Sequence, residues 1–234
     1  MNVTNDLVLI TGANRGIGLG LVSGYLRKGC RVIASCRHPE SAQNLKELAY
    51  QYPAALNIEQ LDVKKITDFQ SLARKYHQIP IDILINNAGI FPENHAGTGI
   101  TAADPQQMLA AFETNALGAL MAIQHFQDNL LKSSNPRIIN MSSQMGALSA
   151  AKGSCYSYRM SKVALNMLTK CFAEENKKII TIALRPGWVK TKMGGINAIL
   201  NVDVSVEMIM KVIENLKIVD SGQFFDNEKN LCNW

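Results

Sequence analysis

The sequence predicts an α/β fold in which a mainly parallel, seven-stranded sheet is covered by helices on both faces, a three-layer, doubly wound arrangement. Short runs rich in Val, Ile and Leu alternate with longer stretches of helical periodicity along the whole chain. Strands that alternate with helices are joined by crossover connections, which give parallel pairing. The 234 residues, of which 47% are hydrophobic and 18% charged, supply enough apolar side chains for a packed core. No repeat or linker interrupts the pattern, so we expect residues 1–234 to form a single domain.

The strands are predicted where a short apolar run is bounded by polar or turn-forming residues. In chain order they are Leu7–Thr11, Arg31–Cys36, Leu56–Leu61, Ile81–Asn86, Arg137–Met141, Ile179–Leu184 and Gln223–Phe225. The last run is the shortest, so we expect it at an edge of the sheet.

The helices are predicted between these strands, where apolar residues recur at helical spacing. They are Ile17–Lys28, Glu40–Tyr50, Thr67–His77, Pro105–Lys132, Cys155–Asn176 and Val206–Leu216. Gly29 follows the first helix in the position of a C-terminal glycine, and Pro105 is suited to a helix start.

Charge and cysteine content exclude several classes of protein. The net charge of +5 arises from 24 basic and 19 acidic side chains that form no long run of one sign, so we expect no nucleic-acid partner. Five scattered cysteines without a C-x-x-C pair argue against a disulfide framework, and neither they nor the histidines His38, His77, His95 and His125 form a metal-like cluster. Residues 1–6 have no basic charge and the apolar run Leu7–Ile10 is short, so we expect no signal peptide, and no apolar stretch approaches the roughly 18 residues of a membrane helix. We therefore expect a cytoplasmic protein with no metal and no membrane partner.

A glycine-rich turn follows the first predicted strand and opens the first helix. It reads Thr11-Gly12-Ala13-Asn14-Arg15-Gly16-Ile17-Gly18. Glycines allow the backbone to turn sharply and to approach a pyrophosphate, while the helix N-terminus offers free N–H groups. An ordinary glycine-rich turn is the alternative, but the strand before it and the helix after it favour a dinucleotide site.

The end of the second predicted strand indicates which dinucleotide. Enzymes that use NAD place a carboxylate there for the ribose 2′-hydroxyl, whereas a 2′-phosphate is held by arginine. This chain has Ser35-Cys36-Arg37 and no acid, and Arg15 lies in the glycine turn. Arg37 alone could be a solvated surface residue, but the pair favours NADP(H).

Seven motifs occur in the order and at the elements typical of one family. The glycines are spaced G-x-x-x-G-x-G, and they are followed by Asp62-Val63, Asn86-Asn87-Ala88-Gly89, Asn115, Ser142-Ser143, Tyr158-Arg159-Met160-Ser161-Lys162 and Pro186-Gly187. Together they resemble the short-chain dehydrogenase/reductase family, whose domain is a Rossmann fold. Residues 156–162, 185–191 and 222–234 are further similar to the C-factor and sniffer-type carbonyl reductases.

This resemblance implies a set of cofactor contacts. The residues expected to bind NADP(H) are Gly12, Asn14, Arg15, Gly16, Ile17, Gly18, Arg37, Asp62, Val63, Asn87, Ala88, Gly89, Tyr158, Lys162, Pro186, Gly187, Val189 and Thr191.

The expected catalytic residues are Asn115, Ser143, Tyr158 and Lys162. Tyr158 and Lys162 are four residues apart, so on a helix both project from one face. A phenol with a pKa of about 10 is a poor acid or base at neutral pH unless a nearby cation stabilises the phenolate, and we expect Lys162 to do so. By resemblance Tyr158 exchanges a proton with the carbonyl oxygen, Lys162 also binds the nicotinamide ribose, and Asn115 holds a water that links Lys162 to solvent.

Ser142 and Ser143 compete for the remaining role, the hydrogen bond to the substrate oxygen. Side chains alternate along a strand, so only one of the two can point into the cleft. We expect Ser143, because it corresponds to the second serine of the family motif.

The substrate side is expected near residues 188–205, where the family places its lid. The segment Met193–Ala198 is short and carries no charged cluster, which favours an apolar or aromatic aldehyde or ketone as substrate. The alternative is a sensor or signalling protein of the same fold that binds NADP without turnover. The predicted helices around Met108–Leu131 and Cys155–Phe172 correspond to the family's usual dimer surfaces, so a homodimer is expected.

Overall fold

A computed structural model describes residues 5–93 and 99–234 of the chain, and His95 lies outside them. Seven parallel strands form one sheet in the order β3-β2-β1-β4-β5-β6-β7. Their bounds are β1 Leu7–Thr11, β2 Arg31–Cys36, β3 Leu56–Gln60, β4 Ile83–Asn86, β5 Arg137–Met141, β6 Ile180–Leu184 and β7 Phe224–Phe225. The predicted fold class is confirmed, and every pairing within the sheet is parallel.

Helices cover both faces of the sheet. They are α1 Gly16–Arg27, α2 Gln43–Gln51, α3 Ile66–Tyr76, α4 Pro105–Phe112, α5 Gly118–Leu130, α6 Tyr156–Glu175 and α7 Val202–Glu214. Val8 and Ile10 of β1 belong to a hydrophobic cluster with α1, α2 and α7, whereas Leu7 and Leu9 belong to a second cluster with α3, α5 and α6. Since side chains alternate along a strand, these two clusters are the cores on either side of the sheet.

The order of the strands places the crevice of the fold. From β1 the chain moves outward to β2 and β3, then returns to β4 on the other side of β1 and continues outward to β7. The strand order therefore reverses between β1 and β4, and ligands of such sheets bind at the carboxyl ends of the strands at that point. The predicted site residues 12–18, 37, 62–63, 87–89, 143 and 186–191 all follow carboxyl ends.

Two predicted helices are interrupted in the structure. The helix expected over Pro105–Lys132 is divided into α4 and α5 by a π-helical turn, Glu113–Leu117. The helix expected over Glu40–Tyr50 is a short 3-10 turn, Pro39–Ser41, followed by α2.

The helix expected to start at Val206 starts at Val202. A Cβ on Gly20 of α1 would lie 2.7 Å from Val206 and 3.0 Å from Val202, and one on Gly24 would lie 2.5 Å from Met210. Side chains at four-residue spacing on α7 thus pack directly on two glycines of α1. This close packing stabilises the additional first turn.

Other expectations concern features of the chain as a whole. No helix within residues 5–93 and 99–234 is long and apolar enough to cross a membrane. All five cysteines fall in this described part, and none of them forms a disulfide. The same residues contain no group of three or more side chains that could hold a metal ion.

Candidate active site

The glycine turn after β1 is packed too tightly for side chains. Gly12 has φ +64°, and a Cβ there would lie 2.8 Å from the Cα of Ala88. A Cβ on Gly18 would lie 2.4 Å from the carbonyl oxygen of Gly12. The backbone therefore forms the floor of the crevice itself, as close approach to a pyrophosphate requires.

Hydrogen bonds join this turn to the segment after β4. The side-chain amide of Asn87 donates to the carbonyl oxygens of Thr11 at 2.9 Å and Gly12 at 3.1 Å. The Thr11 hydroxyl accepts from the backbone N–H groups of Asn87 at 3.1 Å and Ala88 at 3.0 Å. The Thr-Gly and Asn-Asn-Ala-Gly motifs, which are far apart in sequence, thus form one rigid unit.

The N-terminus of α1 is suited to an anion. Its N-cap, Arg15, is extended and makes no side-chain cap, and no acidic residue occurs in the first turn. The N–H groups and the dipole of that turn can therefore serve a ligand. A Cβ on Gly16 would lie 3.3 Å from Thr191 Cγ2, so the segment after β6 reaches the same turn.

Cys36 ends β2, and Arg37 follows it at the carboxyl end of the sheet. The Arg37 side chain is exposed, whereas Cys36 is buried, and this burial raises the pKa of its thiol. Glu40, the next acid along the chain, contacts His38 at 3.3 Å.

Asp62 and Val63 follow β3. An Asp62 oxygen accepts from the N–H of Lys64 at 3.1 Å, and Val63 packs on Gly118, whose Cβ would lie 2.9 Å from it. Both residues are held at the carboxyl end of their strand, beside the crevice.

Tyr158 and Lys162 lie on one buried face of α6. Their exposed fractions are 8% and 5%. The Lys162 Nζ lies 5.6 Å from the centre of the Tyr158 ring and donates a 2.7 Å hydrogen bond to the carbonyl oxygen of Met141 in β5. The helix spacing therefore brings the two side chains together, as expected.

The two serines after β5 have different partners. The Ser143 hydroxyl accepts from the N–H of Met145 at 3.1 Å and lies near enough to the Tyr158 hydroxyl to act on its pKa. The Ser142 hydroxyl points the other way and donates to Asn166 Oδ1 at 2.6 Å in a buried position. Of the pair, Ser143 is the one that lies beside the tyrosine.

Burial dominates the acid–base properties of the group. It raises the pKa of Tyr158 to about 12, against a lowering by the Ser143 hydroxyl, and it lowers the pKa of Lys162 to about 8. The expected lowering of the Tyr158 pKa by Lys162 is not found in this arrangement. The ammonium lies over the ring and is bonded to Met141, so it does not sit beside the phenolic oxygen.

Asn115 lies in the π-helical turn between α4 and α5. Its Oδ1 accepts from the N–H of Ile90 at 2.8 Å, and its Nδ2 donates to the Ile90 carbonyl and the Ser161 hydroxyl, both at 2.9 Å. Both amide protons are thus donated to protein atoms, so the side chain has no donor left for the expected water. In this structure the Asn115 side chain instead holds the segment after β4 against α6.

Two residues of this site were not expected from the sequence. The Phe91 ring lies 4.6 Å from that of Tyr158, and a Glu93 carboxylate oxygen accepts from the N–H of Ser157 in the first turn of α6. Both follow directly on Asn-Asn-Ala-Gly, and that position is the signal that could have indicated them.

The segment after β6 forms a closed loop. Val189 bridges Leu200, the Trp188 indole donates to the carbonyl oxygen of Gly194 at 2.8 Å, and the N–H of Gly194 donates to Thr191 Oγ1 at 3.0 Å. The predicted lid is therefore short but internally hydrogen-bonded, and α7 follows it at Val202. Its large apolar side chains Trp188, Ile196 and Ile199 are exposed.

Known proteins share this arrangement. A family model described as short chain dehydrogenase matches residues 6–198. The C-signal protein of Myxococcus xanthus is 36% identical over 158 residues, which cover 66% of this chain and 93% of that protein.

Two crystal structures superpose closely on the chain. An NADPH-bound carbonyl reductase from chicken fatty liver is 36% identical with a TM-score of 0.89 and covers 98% of this chain and 99% of its own. The carbonyl reductase Sniffer of D. melanogaster is 31% identical with a TM-score of 0.92, and the match covers 98% of this chain and 99% of that chain.

Proposed function

The chain belongs to the short-chain dehydrogenase family, and we propose that within it the protein is an NADP(H)-dependent carbonyl reductase of apolar or aromatic aldehydes and ketones. One observation carries this proposal. Tyr158 and Lys162 lie on one buried face of α6, Ser143 is near the Tyr158 hydroxyl, and all three are at the carboxyl ends of the strands, where the glycine turn also lies. A protein that only binds a nucleotide has no use for a buried, oriented proton donor.

The crevice fits a dinucleotide. The glycine turn excludes a Cβ at Gly12 and Gly18, and the first turn of α1 has no side-chain cap. We assign the pyrophosphate to residues 12–18, the adenine to Asp62 and Val63, and the nicotinamide end to residues 87–89 and 186–191, with Tyr158 and Lys162 beside the nicotinamide ribose. NADPH, when bound, supplies the hydride for the carbonyl carbon.

Arg15 and Arg37 support NADP(H) over NAD(H). The β2 end offers no carboxylate to a ribose 2′-hydroxyl, and Arg37 is exposed there. Guanidinium groups bind phosphate with paired hydrogen bonds. The relatives with NADP or NADPH in their crystal structures agree with this assignment.

The proton chemistry follows from the residues of α6 and β5. Ser143 and Tyr158 bind the carbonyl oxygen of the substrate, and this oxygen takes the phenolic proton as the carbon is reduced. The Lys162 ammonium then stabilises the phenolate that remains, after exchanging its bond to Met141 for one to the nicotinamide ribose. Asn115 keeps Ile90 and Ser161 in place beside this group.

The walls of the cleft favour an apolar substrate. Phe91 covers one face of the Tyr158 ring, and Trp188, Ile196 and Ile199 are exposed on the loop after β6. Basic residues Lys190 and Lys192 are also exposed on that loop, but no acidic side chain occurs in it. Aromatic ketones, quinones and aldehydes with an apolar body match these walls.

Two further features belong to this proposal. Scattered cysteines outside any disulfide favour the reducing environment of the cytoplasm. Leu109 and Phe112 of α4 are exposed, as are Met160 and Met167 of α6, and α4 packs on α6, so we infer that these helices form the interface of a homodimer.

A carbonyl screen tests the function. NADPH oxidation is followed with aldehydes, aromatic ketones and quinones, and NADH is used in parallel. We expect turnover with at least one apolar carbonyl and NADPH binding at least about tenfold tighter than NADH, a difference of about 1.4 kcal/mol. Arg37→Ala should reduce the preference for NADPH over NADH. Arg27→Ala is the control and should leave that preference unchanged, because Arg27 is an exposed residue of α1 that contacts Ser23.

The sensor alternative gives a different result in the same screen. The name of one relative, C-signal, is the reason to consider a sensor or signalling protein. NADPH binding without any carbonyl reduction would favour that alternative. Equal affinities for NADPH and NADH would contradict the role of the two arginines.

A further inference from the structure

The helix that carries Tyr158 and Lys162 begins without a cap of its own. Its N-cap residue, Cys155, is in the left-handed conformation with φ +53° and makes no side-chain hydrogen bond to the helix. Ser154 before it also has a positive φ, +97°, and the first turn of α6 contains no acidic residue. Residues other than glycine adopt such angles only when the surrounding structure holds them there.

A carboxylate from a distant segment takes the place of the cap. Glu93 follows Asn-Asn-Ala-Gly, and its Oε1 accepts the hydrogen bond from the N–H of Ser157, the second residue of α6. The bond satisfies one of the N–H groups that every helix leaves free at its start, and the negative charge lies at the positive end of the helix dipole. The other oxygen of Glu93 is buried and has no hydrogen-bond partner among the described residues.

The same segment contacts the catalytic helix at two more points. Phe91 packs on the ring of Tyr158 at 4.6 Å, and Ile90 is bonded through both its N–H and its carbonyl to Asn115, which in turn donates to Ser161. Residues 90–93 therefore link residues 87–89, which we assign to the nicotinamide end of the cofactor, to the part of α6 where Tyr158 lies.

We propose that Glu93 is a positioning residue that acts as a long-range cap of α6 and fixes Tyr158 against Ser143. Tyr158 is the third residue of the helix, inside the turn that the Glu93 bond closes. Without that bond the first turn opens, and the phenol loses its alignment with the substrate oxygen. This inference rests on the proposed reductase function, because alignment of Tyr158 matters only if that residue transfers a proton.

The test compares Glu93→Ala with Glu93→Gln in the full-length chain. The amide oxygen of glutamine can accept the same N–H bond, so this variant should restore the native behaviour, whereas alanine cannot. Asp104→Ala is the control for loss of a cap on a different helix, because Asp104 caps α4 by accepting from the N–H of Gln106 at 2.9 Å.

Single-turnover NADPH oxidation is measured by stopped flow with the best carbonyl substrate. Its first-order rate constant reports only the active molecules and is independent of the fraction that folds. Since a displacement near 1 Å in a catalytic group can reduce a rate by about 10²-fold, we expect Glu93→Ala to slow this step by about tenfold or more, with Glu93→Gln and Asp104→Ala near the native rate. NADPH affinity should change little in all three variants.

Hydrogen exchange supplies a readout that needs no activity. Amides of residues 156–158 should exchange faster in Glu93→Ala than in the native chain and in Glu93→Gln. A single-turnover rate in Glu93→Ala equal to that of Asp104→Ala, or unchanged exchange at residues 156–158, would overturn the proposal. If the native chain reduces no carbonyl at all, the proposed function fails and the catalytic role with it, while the exchange data still decide whether Glu93 caps the helix.

Discussion

At the scale of single residues, burial gives the proposed catalytic pair its chemical character. The pKa of Tyr158 is raised to about 12 and that of Lys162 is lowered to about 8, in both cases because the charged form is poorly solvated. At pH 7 the phenol is therefore neutral and the lysine is still largely protonated. A neutral phenol beside Ser143 is ready to donate a proton, which is the role that carbonyl reduction requires.

Removing the phenolic hydroxyl tests that role. Tyr158→Phe should lower kcat by about 10⁴-fold or more, at or above the top of the range for general acids, because the proton donor is lost from a water-poor site. NADPH affinity should be nearly unchanged. Steady-state kinetics and calorimetry measure the two quantities. Tyr156→Phe, two residues earlier on the same helix, is the control and should stay near native activity. A Tyr158→Phe variant that kept most of its rate would show that another group is the acid.

The two serines after β5 should separate activity from stability. Ser143→Ala should reduce kcat, since it removes the hydroxyl that lies beside Tyr158 and that we expect to bind the substrate oxygen. Ser142→Ala should retain kcat per folded molecule but lose about 1–3 kcal/mol of unfolding free energy, because Asn166 Oδ1 is left buried without its donor. Urea unfolding and kinetics on the two variants check this. If Ser142→Ala instead lost kcat and Ser143→Ala lost stability, Ser142 would be the residue in the cleft.

Lys162 should make stability depend on pH in a known direction. Its pKa is about 8 in the folded chain and 10.5 for the ordinary group, so between these values the unfolded chain binds more protons and stability rises with pH. Lys162→Met has no such titration. The unfolding free energy of the Met variant minus that of the native chain, measured without nucleotide, should therefore fall as pH rises from about 7 to 10. A difference that stays constant with pH would show that Lys162 is not held in a poorly solvated position.

At the scale of secondary-structure elements, the contact between β1 and α1 depends on the absence of a side chain at one position. A Cβ on Gly18 would lie 2.4 Å from the Gly12 carbonyl oxygen and 2.6 Å from the Asn87 amide. Gly18→Ala should therefore displace the turn, abolish detectable NADPH binding and lower Tm. Gly153→Ala is the control, because nothing lies within 4 Å of its added methyl group. Thermal melts with and without NADPH measure both effects, and native-like ligand stabilisation in Gly18→Ala would refute this account of the turn.

Local patterns predicted most of these elements, and the exceptions share a cause. Strands such as Leu7–Thr11 and Arg137–Met141 were predicted with their observed bounds, because apolar runs between turn residues identify buried strands. The start of α7 was predicted four residues late, since packing on Gly20 and Gly24 has no local signature. The π-helical turn at Glu113–Leu117 was also missed, because it has no local signature either.

The candidate site shows the same limit. Tyr158 and Lys162 were predicted to lie together because their spacing is helical, and the structure places them so. Glu93 was not identified although it lies shortly after Asn-Asn-Ala-Gly, because its bond to Ser157 joins residues far apart in the chain. The direction of the Tyr158 pKa shift also depends on burial and on the bond of Lys162 to Met141, which a sequence does not reveal.

At the scale of the whole molecule, the exposed apolar side chains of α4 and α6 predict self-association. Leu109, Phe112, Met160 and Met167 should be buried in a dimer, so sedimentation should show a monomer–dimer equilibrium at micromolar concentration. Met167→Glu should shift it towards monomer, since a charge is placed on that face. Ile218→Glu, an exposed apolar position after α7, is the control. A stable tetramer, or an equilibrium unaffected by Met167→Glu, would contradict this interface.

The central position of β1 also has a consequence for synthesis of the chain on the ribosome. β2 and β3 emerge soon after β1 and can pair on one side of it, but its other edge is paired only when β4 has been made. Until then a strand with four consecutive apolar residues presents unpaired N–H and C=O groups, which are a template for pairing with another chain. The reversal of strand order that creates the ligand crevice thus also creates an interval in which the nascent chain is vulnerable to aggregation.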